Sequence, residues 1–153
     1  MPADQVAECV ALMTSMKASE PPAVAQMRAA FGPRSPLPEI AEAFYTMGGC
    51  WNLALAINAK TQLPIELYYQ GGRPTHAYVV DGQDDSAIDA RGRNPVRLAR
   101  LGAERTRTVT PDELFEVLEV EVPNGTVVVS VVRRSDWVSA ADETAAVVLA
   151  AVG

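Results

Sequence analysis

Three residues have the types and the spacing for nucleophilic acyl chemistry: Cys50, His76 and Asp89. A thiol attacks a carbonyl well only as thiolate, so a catalytic cysteine needs its charged form stabilised. Cys50 follows Gly48-Gly49 and opens an alanine-rich apolar stretch. At such a helix start, unpaired backbone N–H groups and the helix dipole favour negative charge. The same N–H groups could later receive the oxyanion of a tetrahedral intermediate, and Trp51 beside the thiol would exclude water. His76 is the only histidine in the chain, so it is the only imidazole that could act as base. It precedes the turn at Asp81-Gly82, and the length of that turn decides where Asp89 falls. A two-residue loop at Gly82-Gln83 sets His76 opposite Asp89. A loop at Asp81-Gly82 sets it opposite Ala87, with Asp89 two residues along. Either register leaves the pair on one face, because side chains alternate with period two, whereas a three-residue loop would separate them. An aspartate facing a histidine fixes its tautomer and stabilises the imidazolium. A His–Asp pair alone reads more readily as a polar strand histidine with an aspartate near a turn. The cysteine ahead of it, in the order helix start, strand, next strand, favours catalysis.

The elements that must position these residues follow from periodicity. Residues 3–18 place Val6, Cys9, Val10, Met13 and Met16 on one helical face, which makes Cys9 a small buried hydrophobe rather than a reactive thiol. A second helix is expected over 23–31, a proline-broken loop over 32–38, and a third helix from Pro38 to about Met47. Gly48-Gly49 ends it and frees the backbone for a change of direction. Residues 50–60 form the next helix, with Leu53, Ala54 and Ile57 as its apolar face. The period then changes to two over 65–69, 75–80 and 86–89, with Gly71-Gly72 and Asp81-Gly82 as turns, so these are strands of an antiparallel sheet. Thr110-Pro111-Asp112-Glu113 starts a helix to about Leu118. Residues 120–122, the Asn124-Gly125 turn and 126–132 read as a hairpin, and 139–152 as a closing helix. The fold class is α+β in a single domain over 1–153: a helical N-terminal part (1–47), a catalytic core (48–92) in which a central Cys-bearing helix packs on a small antiparallel sheet, and a C-terminal helix-hairpin-helix (93–153).

Gly49-Cys50-Trp51-Asn52-Leu53-Ala54 resembles the nucleophile motif of the transglutaminase-like superfamily. His76-Ala77-Tyr78-Val79 followed by Asp81-Gly82 resembles its histidine strand, and Ile88-Asp89-Ala90-Arg91-Gly92 its aspartate strand. The same order is similar to that of papain-like and NlpC/P60-like cysteine peptidases. The resemblance spans about Gly48 to Gly92. It implies a papain-like core and acyl transfer through a thioester on Cys50: amide or peptide hydrolysis, deamidation, or transfer to an amine. Two features depart from it. The step from Cys50 to His76 is 26 residues (76 − 50), short for these families, and no glutamine lies between Gln26 and Cys50. Tyr45 and Asn52 are then the candidates for a second oxyanion donor. The departures keep open an inactive papain-like binding or structural module, such as a virion component or an adaptor.

Composition bounds the partners. The chain has 153 residues, 48% apolar and 21% charged, with a net charge of −6, which opposes general affinity for nucleic acid or anionic membranes. No apolar run approaches the roughly 20 residues of a membrane span. The N-terminus lacks a secretory pattern, and two cysteines make no disulfide framework. A cytoplasmic protein is expected, with non-classical delivery or virion incorporation left open. Its expected substrate is a protein or peptide; a partner protein or an oligomer stays open. Arg91, Arg93, Arg97, Arg100, Arg105 and Arg107 crowd one stretch with Glu104 as its only acid, read as a solvated loop or an anion-binding patch. Trp51, Arg91 and Arg93 are the candidate substrate-binding residues, and Tyr68, Tyr69 and Tyr78 could line a groove. Asp81, Asp84 and Asp85 lack the spacing of a calcium loop, and one histidine with two distant cysteines makes no zinc site. No cofactor or metal is expected.

Overall fold

A computed structural model describes residues 44–46 and 48–152. The helices expected over 3–18 and 23–31, the loop over 32–38 and Cys9 lie outside these residues, as does most of the third helix, of which 44–46 are helical.

Helix α1 (Cys50–Thr61) starts at Gly49, where a Cβ would stand 2.5 Å from Cε1 of Phe44 and 2.8 Å from Cδ1 of Tyr45. Only glycine lets the two aromatic rings pack against the turn that delivers Cys50. Cys50, Trp51, Asn52, Leu53 and Ala54 are all buried, so the first turns of α1 are covered on every side. The helix ends at Gln62 in the left-handed conformation, its N–H bonded to the Asn58 carbonyl.

The sheet follows as β1 (Ile65–Gln70), β2 (Arg73–Asp81), β3 (Ser86–Asp89) and β4 (Gly92–Pro95). Gly71 and Gly72 both have positive φ (62° and 76°), the geometry of the tight hairpin whose twist suits adjoining strands. The β2–β3 connection is longer than expected. Asp81 pairs with Ser86, leaving residues 82–85 as a four-residue loop, braced by the Gln83 N–H donating to Oδ1 of Asp81 at 3.1 Å. Four is even, so the parity that places His76 and Asp89 on one face survives the change.

The arginine stretch is not a loop. It forms β4, the helical turn α2 (Val96–Ala99) and β5 (Arg105–Val109), and β5 returns to pair with β1. The sheet order is β4-β3-β2-β1-β5, every neighbour antiparallel. Alternation divides it: Ile65, Leu67, Ala77, Val79 and Ile88 join the main core with α1, and Tyr68, Tyr78, Ala87 and Ala99 form a second cluster on the other face.

Helix α3 (Pro111–Glu121) begins as expected, with a reciprocal cap: the Glu113 N–H donates to Oγ1 of Thr110 and the Thr110 N–H to Oε1 of Glu113. It continues past Leu118 to take in Val120 and Glu121. The expected hairpin is therefore absent; 126–132 belongs to helix α4 (Gly125–Val132). Valine-rich sequence favours strands only where a sheet can receive it, and here tertiary packing prevails. Asn124 turns left-handed (φ 56°), and a Cβ on Gly125 would fall 2.3 Å from the Leu118 carbonyl oxygen and 2.2 Å from that of Glu119. The Asn-Gly pair thus makes a close helix–helix turn. Helix α5 (Ser135–Val152) closes the chain and packs along α1, with Ala141, Ala145 and Val148 in the core. The C-terminal part is three helices rather than helix-hairpin-helix, and the sheet draws on residues after 92. No helix of the described residues is long and apolar enough to cross a membrane.

Candidate active site

His76 and Asp89 are joined directly: Nε2 lies 3.1 Å from Oδ2, with both side chains buried. Extending the register from Val79↔Ile88 puts position 91, not 89, opposite His76, so the imidazole reaches back along the strands to its acid. The β1 pairing slips between Tyr68 and Tyr69, beside the position paired with His76. A bulge there re-aims neighbouring side chains. β3 pairs with β2 only through Val79–Asp81, so the His76 segment extends beyond its neighbour. Of the strands, β2 is the one α1 contacts most.

Asp89 is held from two more directions. The Arg91 backbone N–H donates to Oδ1 at 2.8 Å, and Nη1 of Arg91 to Oδ2 at 3.4 Å. Burial alone would raise the Asp89 pKa, but the hydrogen bond from His76 and the charge of Arg91 outweigh it and hold the carboxyl below its ordinary value. On His76 burial acts to lower the pKa. The Asp89 hydrogen bond, with the nearby Cys50, overcomes burial and brings the imidazole up to about 9. Cys50 and Asp89 thus act on one ring. Asp89 engages Nε2, while Nδ1 is buried with no hydrogen-bond partner among the described residues. Cys50 is 1% exposed, His76 6% and Asp89 7%.

The other expected site residues are placed differently. Tyr45 is buried with its ring against Gly49, edge-on to Phe44 at 4.8 Å, next to the helix start that carries Cys50. Asn52 instead donates from Nδ2 to the Val132 carbonyl at 2.8 Å, fastening α4 to α1. Two residues along a helix is about 200° of rotation, so its amide leaves the helix on the far side from Cys50. Trp51 is a core residue. Arg91 is buried on Asp89, and Nη1 of Arg93 donates to Asp81 (3.0 Å), Asp84 (3.1 Å) and Ser86 (2.7 Å). Arg100 pairs with Glu66, while Arg105 and Arg107 lie against Glu121. Five of the six crowded arginines therefore carry internal carboxylate partners, which offers little to an external anion. Tyr68, Tyr69 and Tyr78 are buried rather than lining a groove. No cluster of metal-ligating side chains occurs among the described residues.

Two features were not anticipated from sequence. One is the Arg91 bracket on Asp89; its signal was the two-residue spacing, which lets a backbone N–H reach the carboxylate. The other is a buried network in which Glu66 accepts from Tyr78 and from both Nε (2.9 Å) and Nη2 (2.6 Å) of Arg100. An acid between Ile65 and Leu67 in an apolar strand was its only sequence mark. No family model, curated protein or solved structure matches this chain.

Proposed function

We propose that this protein is a cysteine-dependent acyl-transfer enzyme with a papain-like core, in which Cys50 is the nucleophile, His76 the base and Asp89 the residue that orients it. The observation that carries the reading is the 3.1 Å hydrogen bond between the buried His76 imidazole and Asp89, on a sheet packed by the helix that Cys50 starts. An imidazolium there supplies the counter-charge that a thiolate requires. The Cys50 sulfur would attack the substrate carbonyl carbon, forming a C–S bond as the carbonyl π electrons move to oxygen. Backbone N–H groups at the start of α1 would receive that oxyanion. Collapse would break the C–N bond, the leaving amine taking the proton from Nδ1 of His76. Water or a second amine would then attack the thioester, giving its proton to Nδ1 as the C–S bond breaks and the thiolate leaves. The substrate class is a protein or peptide amide.

The test is the alkylation rate of Cys50 by iodoacetamide at neutral pH, resolved by mass spectrometry from that of Cys9. A rate well above that of a free thiol supports the reading; a rate no faster overturns it. One observation favours a second reading, a binding or structural module without chemistry: Cys50 is almost fully covered. If Cys50→Ser leaves biological function and partner binding unchanged, that module is the better description.

A further inference from the structure

On the far side of α1 from Cys50, a hollow of about 400 Å³ opens between α1, α3, α4 and α5. Its walls are mainly apolar: Leu55 and Ala56 from α1, Phe115 from α3, Val132 from α4 and Val138 from α5. One buried polar group breaks that lining. Asn52 is 3% exposed, and its Oδ1 has no hydrogen-bond partner among the described residues. Its orientation is fixed by chemistry, since Nδ2 donates to the Val132 carbonyl and a flipped amide would set two acceptors against each other. A buried acceptor left unmatched is costly, and one that borders a hollow is placed to accept from a donor that enters it.

We infer that this hollow is a binding site for a small neutral aromatic ligand carrying one hydrogen-bond donor, of the indole or phenol class, whose N–H or O–H meets Oδ1 of Asn52. Size and lining are those of ligand pockets, which combine an apolar surface with a few placed polar groups. Charge at the rim argues for a neutral ligand. Arg133, whose guanidinium lies over the Phe115 ring at 3.9 Å, and Asp142 are the charged lining residues, one of each sign. The Phe115–Arg133 stack gives a planar surface that an aromatic ring can extend. The site is independent of the Cys50 reading, because it uses the opposite side of the helix.

The full chain, labelled with ¹⁵N, is titrated with indole and separately with benzofuran, a ring of similar shape without the donor. Saturable shifts of the Asn52 side-chain amide by indole are expected, with benzofuran bound about tenfold more weakly, the worth of one hydrogen bond. Ala59→Phe, at an exposed position lining the hollow, should abolish binding of both without altering the far-ultraviolet circular dichroism. Asn52→Leu should remove the preference for indole; Ala59→Phe keeps the test decisive if loss of the Val132 bond unfolds that variant. Absence of saturable binding, equal affinity for the two rings, or binding that survives Ala59→Phe would each overturn the inference.

Discussion

His76 and Tyr78 stand two residues apart on β2 and share a parity, their ring centroids 5.9 Å apart, and each is bonded to a buried carboxylate. The two clusters are finished differently. Around Tyr78, Glu66 spends both oxygens on Tyr78 and on the two-point clamp of Arg100, and burial followed by the Glu66 hydrogen bond pushes the Tyr78 hydroxyl far above its ordinary pKa. Its hydroxyl proton is locked in place. Around His76, Asp89 is fully engaged, but Nδ1 has no hydrogen-bond partner among the described residues. A closed network specifies structure; one with a single open valence next to a nucleophile is fitted to move a proton. The arginines teach the same lesson, since those bonded to Asp81, Glu66 and Glu121 brace the sheet, whereas Arg91 braces the one acid that faces the histidine.

The contrast makes distinct demands on variants. His76→Ala should slow alkylation of Cys50 about 100-fold, the low end of what a positioned base contributes; a rate unchanged from wild type would place His76 with the structural residues. Glu66→Gln should lower stability by about 2 kcal/mol, because it leaves Arg100 and Tyr78 without their charged partner, while leaving the Cys50 rate unchanged. Urea unfolding and alkylation, measured on the same sample, separate these outcomes; loss of both together would erase the distinction between the clusters. Asp89→Asn should cost about tenfold in the alkylation rate, the difference between a charged and a neutral hydrogen bond. Stability should also depend on pH. The folded His76 titrates at about 9, above its ordinary 6.5, so its contribution is full below 6.5 and is lost as pH rises through about 9. Asp89 has the opposite sense: held below its ordinary value, it contributes above that value and is lost in acid. The urea midpoint of wild type should therefore fall on the alkaline side, and that of His76→Ala should stay flat there.

Much of this was legible in sequence where local chemistry and tertiary packing agree. The Gly-Gly turn before Cys50, the three strands and the Thr110 cap each follow from residues within a few positions of one another. The His76–Asp89 pairing was legible through parity alone: the loop holds four residues rather than two, and only its evenness mattered. The Asn124-Gly125 turn misled because the pair serves a hairpin or a helix–helix corner equally, and close contact with the carbonyls of Leu118 and Glu119 decides between them. The arginine stretch misled for a related reason. Its partners Glu66, Asp81 and Glu121 are distant in sequence or on other elements, so no local signal revealed β4, α2 and β5. Asn52 was placed on the correct helix and the wrong side, since its partner Val132 is 80 residues away.

The coupling of Cys50 to His76 is open to one direct measurement, because the chain has a single histidine and its ring resonances need no assignment. The His76 ring is titrated by NMR in wild type and in Cys50→Ser. The coupled arrangement predicts a midpoint near 9 in wild type and a clearly lower one in the variant, since Cys50 is one of the groups that favour the imidazolium. Identical midpoints in the two proteins would contradict it.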